Sequence, residues 1–376
     1  MKTAWDYVIK NSGVKICRAW GTDPAPQVPE CIEGLPVTEI GPYAFSESEL
    51  PRRFRVDGIK RTETGDSLFE EDFSVRIAGG RVRAVTVPET VKAIGDYAFY
   101  GCTALSEIRF AGNIRRIGSG AFMGCGSMRH LEYRVTEETM PLKGLALMLS
   151  ELRYAISVNI WQNGERYALM FPEYYESSVE NVPARIIEMH FQGTGYRYRQ
   201  CFRDGIMNYK DYDSLFKLAI RQEPAAVLTE LAYDRLRFPE GASGEAAAEY
   251  KAWFSEKIRD AAAVLLKEND PEKMAFLAGV GAFDGLAEPE REPETKPEIL
   301  EDNGGDFYMA AMGEDLVAQP EAGSEAENQK VQERRPALEV LLELAGKQGK
   351  TEIVSCLMDY QYKKQGGTKK KKMFEL

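Results

Sequence analysis

The sequence is poor in the residues that most reaction chemistry needs. Only two histidines, His130 and His190, occur in 376 residues. A Cys201–His190 pair can be drawn as nucleophile and base, but no third group in the sequence orients it. No HExxH, GxSxG or EF-hand pattern is present. Asp204, Asp211 and Asp213 read as acids near a helix start rather than as metal ligands. Gly346-Lys-Gln-Gly-Lys-Thr351 has the lysine and threonine of a phosphate loop. It has Leu344 where the first glycine is required, and a helical pattern precedes it instead of a strand. These absences predict no catalytic residue, no metal and no cofactor, hence a protein that is not an enzyme.

Cysteine is also sparse. Cys17, Cys31, Cys102, Cys125, Cys201 and Cys356 form no CxxC pair, so neither a zinc ribbon nor a disulfide framework is indicated. No apolar run reaches the 18 residues of a membrane span. The opening MKTAWDYVIKNSG has neither the apolar core nor the cleavage site of a secretory signal. The expectation is a cytoplasmic protein in a reducing compartment, with no membrane partner. An excess of basic charge is missing too: 59 acidic against 48 basic residues give −11. From Asp284 to Arg335, 15 acidic residues face five basic ones. The rest of the chain is near neutral, which argues against nucleic acid as the main partner.

What is present is enough apolar residue to fold, 44% against 28% charged, over a length suited to two or three units at about 150 residues each. A repeat lies near the N-terminus. Val82–Ala104, VRAVTVPETVKAIGDYAFYGCTA, aligns without a gap on Leu105–Ser127, LSEIRFAGNIRRIGSGAFMGCGS. Val85/Ile108, Val87/Phe110, Ile94/Ile117, Gly95/Gly118, Phe99/Phe122 and Cys102/Cys125 match. Further copies begin at Met128 and at Leu35. Alternation around Val85 and Ile108 predicts a half-buried strand, Ile-Gly a tight bend where glycine tolerates positive φ, and Ala-Phe a packed interior. Cys102 and Cys125 fall on adjacent turns, a placement that suits two buried thiols or a bridge.

The PETVKAIGDYAFYGCTALSEI stretch resembles the bacterial BspA-like, or Treponema-type, leucine-rich repeats, over about residues 30–133. The resemblance implies a solenoid of short strands and turns used for binding. Many relatives are secreted or surface-exposed, which supplies one alternative reading, a cell-surface adhesin. Residues 5–33 are expected to cap the N-terminal end with Trp5, Val8, Ile16 and Trp20. An insertion at about 57–80 is expected to turn as a hairpin at Ala78-Gly79-Gly80. If Val85, Ile108 and Leu131 point inward, then Thr86, Arg109 and Glu132 point outward in a ladder, with Arg55 extending it. That face is the candidate protein-binding surface, with Arg109 and Glu132 as opposite charges.

Residues 135–205 read as a separate β-rich segment. Asn163-Gly164 predicts a hairpin between Leu152–Trp161 and Arg166–Phe171, and Arg185–Gln192 predicts another strand. Tyr196, Arg197, Tyr198 and Arg199 on a strand would offer alternating rings and cations, the combination that single-stranded nucleic acid needs. Nucleic-acid binding is therefore the second alternative.

Helical pairs follow over 206–283, with Asp213 or Ser214 as a cap, Pro224 starting a helix to Arg237, and further helices over Ala252–Glu268 and Pro271–Gly281. Residues 284–335 read as an acidic disordered linker, with Ile299–Leu300 and Phe307–Met312 as docking spots. A helical hairpin over 336–363 and a frayed basic tail over 364–376 close the chain. The last two helix pairs are weakly similar to ankyrin repeats but lack the Thr-Pro-Leu-His signature. The sequence thus predicts a multi-domain α+β chain: a 1–134 repeat domain, a β-rich centre and helical hairpins. The expected function is a protein-interaction scaffold.

Overall fold

The computed structural model describes residues 2–11, 13–66, 72–112, 114–136, 141–181, 186–289 and 334–373. Its strands are β1 (Thr3–Lys10), β2 (Gly13–Trp20), β3 (Cys31–Ile32), β4 (Leu35–Ile40), β5 (Lys60–Thr64), β6 (Ala84–Thr86), β7 (Ala93–Ile94), β8 (Glu107–Ala111), β9 (Arg116–Ile117), β10 (His130–Arg134), β11 (Ile156–Gln162), β12 (Glu165–Phe171), β13 (Tyr175–Asn181), β14 (Ile186–Gln192), β15 (Phe202–Arg203) and β16 (Ile206–Met207). One sheet runs β5-β1-β2-β4-β7-β9, with β3 beside β4, and a second runs β12-β11-β10-β8-β6. Each 23-residue repeat therefore contributes a strand to both sheets. Residues that match in sequence lie opposite each other in space, Val85↔Ile108↔Leu131 in one sheet and Ile40↔Ile94↔Ile117 in the other.

The repeats interlock through the positions that match between them. Phe45, Phe99 and Phe122 stack with centroids 4.9 and 5.2 Å apart and planes within 7° of parallel. The Cys102 thiol donates to the Phe45 carbonyl and the Cys125 thiol to the Phe99 carbonyl, both at 3.2 Å. Both cysteines are free. Burial pushes the Cys125 thiol up to about 12 and that of Cys102 higher still, so each stays a neutral donor.

The glycine expectation needs correction. Gly95 and Gly118 are not in the positive-φ region; that conformation falls two residues on, at Tyr43 (56°), Tyr97 (55°) and Gly120 (62°). Gly118 is dictated by proximity instead. A Cβ there would lie 2.4 Å from the Asp96 amide nitrogen of the preceding repeat.

The N-terminal cap is a β1–β2 hairpin that buries Trp5, Val8 and Ile16 and leaves Trp20 half-buried. The insertion does not form a hairpin at Ala78–Gly80. Its strand β5 pairs with the open edge of β1. Gly79–Arg81 makes a single 3₁₀ turn, whose Gly79 N–H returns to the Phe45 carbonyl at 2.9 Å. Among the described residues of the insertion, β5 pairs with β1 and Arg76 bridges Trp20, so neither pairs across Ala78–Gly80.

The second sheet continues across residue 134. β11 pairs in parallel with β10, Tyr133 opposite Ile160, and then turns through Asn163 and Gly164 into antiparallel β12. Asn163 (φ 54°) and Gly164 (φ 84°) take the two positive-φ places of such a turn. Helix α1 (Lys143–Glu151) makes the connection, with Leu145, Met148 and Leu149 buried. β13 and β14 pair as a separate antiparallel hairpin.

The remaining helices are α2 (Gly195–Arg199), α3 (Tyr209–Ser214), α4 (Phe216–Gln222), α5 (Ala225–Arg237), α6 (Gly244–Glu256), α7 (Ile258–Glu268), α8 (Pro271–Gly279), α9 (Ala337–Lys347) and α10 (Thr351–Met373). α5 packs on β12, α7 on α9 and α8 on α10. One apolar core runs without a break from Trp5 to Leu357.

Three helical expectations change. The expected cap at Asp213 or Ser214 is supplied by Asn208, whose side chain accepts from the Asp211 N–H at 3.1 Å. Asp213 is buried against Arg235 instead. The single helix expected over Ala252–Glu268 is two, α6 and α7, which meet at Lys257. The basic tail is helical in backbone through Met373.

Most of the expected acidic linker, including both of its docking spots, lies outside the described residues. Its flanks do not diverge. The Ala287 N–H donates to the Arg335 carbonyl at 2.9 Å, and the Ala337 N–H to the Gly285 carbonyl at 3.0 Å.

Candidate partner-binding cleft

Alternation along β6, β8, β10 and β11 decides which side chains leave the core. Val85, Ile108, Leu131 and Val158 are each at most 1% exposed. Their neighbours Thr86, Arg109, Glu132 and Asn159 therefore face the other way and lie in register. The three residues expected from the sequence thus form one row. Arg55 does not extend it. It follows the short helix Arg52–Phe54 in the excursion that carries β5 toward β1. The row is extended by Gln27, which bridges Thr86 in parallel, with the Val28 N–H on the Thr86 carbonyl at 3.0 Å. Nothing in the hydrophobic pattern of residues 24–28 signals a strand, because two prolines leave a single bridge rather than a ladder.

This face is the floor of a cleft of about 630 Å³. Thr86, Arg109 and Glu132 line it together with a second outward row, Ala111, Arg134 and Trp161. Asp23, Gln27 and Glu30 form a wall from the N-terminal cap, and Pro88 and Glu89 another. Trp161 is 38% exposed at the far end. It could have been found in the sequence, since it shares the outward phase of Asn159.

The charges are arranged in pairs. Arg109 donates from Nη2 to Glu107 at 2.7 Å and from Nε to Glu132 at 3.1 Å. Arg134 approaches Glu89 at 3.7 Å. Arg109 keeps 45% of its side chain exposed, so such contacts contribute at most about 1 kcal/mol each to folding. Their arrangement is worth little to the fold and is available for recognition.

The Tyr/Arg segment is not a strand and presents no stacking platform. Gly195–Arg199 is helical. Tyr198 is fully buried, its ring edge-on to Tyr212 with centroids 4.7 Å apart. Arg199 is buried as well, and its guanidinium donates to five backbone carbonyls, those of Leu149, Leu152, Tyr154, Pro172 and Gly195, at 2.6–3.2 Å. Tyr196 is half-buried and stacked on Phe191 at 3.9 Å, which leaves Arg197 as the exposed cation. The alternating pattern misleads because the acceptors that fix Arg199 come from the distant ends of α1 and β12. The Cys201 thiol donates to the Arg197 carbonyl and is pushed up to about 12 by burial. That is the opposite of an activated nucleophile. His130 is exposed on β10, and the side chain of His190 lies outside the described residues. Gly346–Thr351 is the turn between α9 and α10.

Residues 78–142 match the family model described as BspA type leucine rich repeat region (6 copies). That stretch is similar to BspA-type leucine-rich repeats. It contains β6, β8 and β10, so the leucine-rich repeats build the cleft floor, while Asp23, Gln27, Glu30 and Trp161 come from outside the matched residues. Among solved structures, the chain is similar to a leucine-rich repeat protein of T. pallidum (21% identity, 34% of this chain and 68% of that one, TM-score 0.20). It is also similar to a leucine-rich repeat protein of Bacteroides ovatus (14% identity, 35% of this chain and 48% of that one, TM-score 0.16). No curated protein matches the chain. The weak ankyrin likeness of the helix pairs finds no support in these comparisons.

Proposed function

We propose that the chain is a non-enzymatic protein-interaction scaffold. Its leucine-rich repeats form a short solenoid, and the cleft on the outer face of the second sheet receives the partner. One observation carries this reading: Thr86, Arg109 and Glu132, in register on three successive repeat strands, line one cleft with the half-exposed Trp161. Leucine-rich repeats generally mediate protein contacts, which supports the same assignment. The continuous core supports a helical half that buttresses the repeats through α5 on β12. The free thiols of Cys102 and Cys125 suit a cytoplasmic setting.

The test is affinity capture from native cytosol with the full chain and with an Arg109→Glu/Glu132→Arg variant. A stoichiometric protein held by the parent and lost by the variant supports the reading. Identical capture by both sinks it. The same holds if nucleic acid alone is recovered.

A further inference from the structure

The cleft is polar, but its charges do not cancel. Its two lining cations are both engaged, Arg109 by Glu107 and Glu132, and Arg134 by Glu89. Its N-terminal wall carries two more carboxylates. Asp23 accepts only the Ala25 N–H, at 2.9 Å, and Glu30 is exposed; no ion pair among the described residues engages either one. At the other end stands Trp161, flanked across the strands by Arg134 and Arg166. A ligand cation at that end would meet like charge, whereas an apolar side chain would cover the exposed indole. The two ends are therefore chemically unlike. They lie four strand spacings apart, about 19 Å at about 4.8 Å each, which is the length of about six residues of extended chain.

Resting on the reading of the cleft as a protein-docking surface, we propose that its occupant is an extended polypeptide segment with a lysine or arginine at one end and an apolar side chain about six residues away. The cation sits against Glu30, at the Thr90 end of the stretch that runs beside β6, and the apolar residue covers Trp161; Asp23, at the Arg83 end of that stretch, adds to the field. The main attraction is long-range, since two carboxylates with no ion pair among the described residues, in a walled cleft, focus a negative field. Charge repulsion between the same pair and an acidic segment supplies discrimination.

The test uses fluorescein-labelled eight-residue peptides with a Gly-Ser body and Leu at one end, carrying either Lys or Glu at the other. Binding to the full chain is read by fluorescence anisotropy. The Lys peptide is expected to bind at least about tenfold tighter, with the margin shrinking as salt is raised. Asp23→Asn/Glu30→Gln should abolish the margin, and Trp161→Ala should weaken both peptides. Glu30 and Trp161 are exposed and Asp23→Asn keeps an acceptor for the Ala25 N–H, so the melting temperature should be unchanged, which separates lost recognition from lost fold. Equal binding of both peptides, still lost on Arg109→Glu, overturns the charge assignment but leaves the docking surface standing. A Lys preference that survives Asp23→Asn/Glu30→Gln places the cation elsewhere and also overturns it, as does the absence of any peptide binding.

Discussion

Arg235 and Asp213 meet through two parallel hydrogen bonds, Nε to Oδ1 at 2.7 Å and Nη2 to Oδ2 at 3.0 Å, both side chains at most 5% exposed. The pair is fully satisfied. Tyr250 donates to Asp213 at 2.7 Å, Arg235 also donates to the Phe238 and Glu240 carbonyls, and its guanidinium lies over the Tyr209 ring. Removing one partner strands the other. Asp213→Ala should cost about 3–5 kcal/mol and Tyr250→Phe about 1 kcal/mol, by urea unfolding. An Asp213→Leu/Arg235→Met double variant should lose less than Asp213→Ala. A loss under about 1 kcal/mol for Asp213→Ala would mean that the pair is solvated.

Arg199 forms no ion pair among the described residues and relies on geometry. Its five carbonyl acceptors tie the end of α1 to the end of β12, and burial lowers its own pKa to about 10. Lysine keeps the charge but brings only three donors on one nitrogen. Arg199→Lys and Arg199→Met should therefore both lose about 3 kcal/mol, measured by thermal unfolding. Rescue by lysine would show that charge, not the planar fork, is what the site needs.

The repeat interior leaves no room at Gly118. Gly118→Ala places a methyl against the Asp96 backbone and should destabilise by about 1–3 kcal/mol. Gly126→Ala meets nothing within 4 Å and should be close to neutral. Equal melting temperatures for the two would refute the close stacking of the two repeats.

Asp234 should give stability a pH dependence of its own. It is 3% exposed and its Oδ2 has no hydrogen-bond partner. Burial first, then the Glu230 carboxylate, holds its pKa well above the usual range, with Lys273, Arg166 and Arg235 as the opposing cations nearby. The folded state thus holds a proton that the unfolded chain releases above about pH 4. Stability falls as pH rises through the window between those two values. Asp234→Asn should remove that slope, so its advantage over the parent should grow from pH 5 to pH 8, to about 1–3 kcal/mol. Parallel stability curves for the two proteins over that range would refute this.

Much of the repeat architecture was legible in the sequence because it depends on local spacing. Val85, Ile108 and Leu131 set the strand phase, and phase alone put Thr86, Arg109 and Glu132 on one face. What was not legible depends on partners far along the chain. Arg55 leaves the ladder because β5 finds β1, and Gln27 enters it from a proline-rich stretch with no alternation. Arg199 and Asp213 look like surface charges until Leu149, Pro172 and Arg235 are brought beside them. The sequence suggests one helix over Ala252–Glu268 because an alanine-rich, strongly helical run hides the break at Lys257.

The backbone contacts between Ala287 and Arg335 and between Gly285 and Ala337 close the stem of an excursion whose two feet stand side by side. The described residues on either side of 290–333 thus belong to one packed body. The last two helices hold their place by packing on α7 and α8 and by hydrogen bonds such as Ala337 N–H to Gly285 and Tyr360 to Asp284, so a cut in that excursion would turn one chain into a complementing pair of fragments. The C-terminal fragment would then behave as a ligand of the N-terminal one, its retention set by concentration instead of covalent linkage.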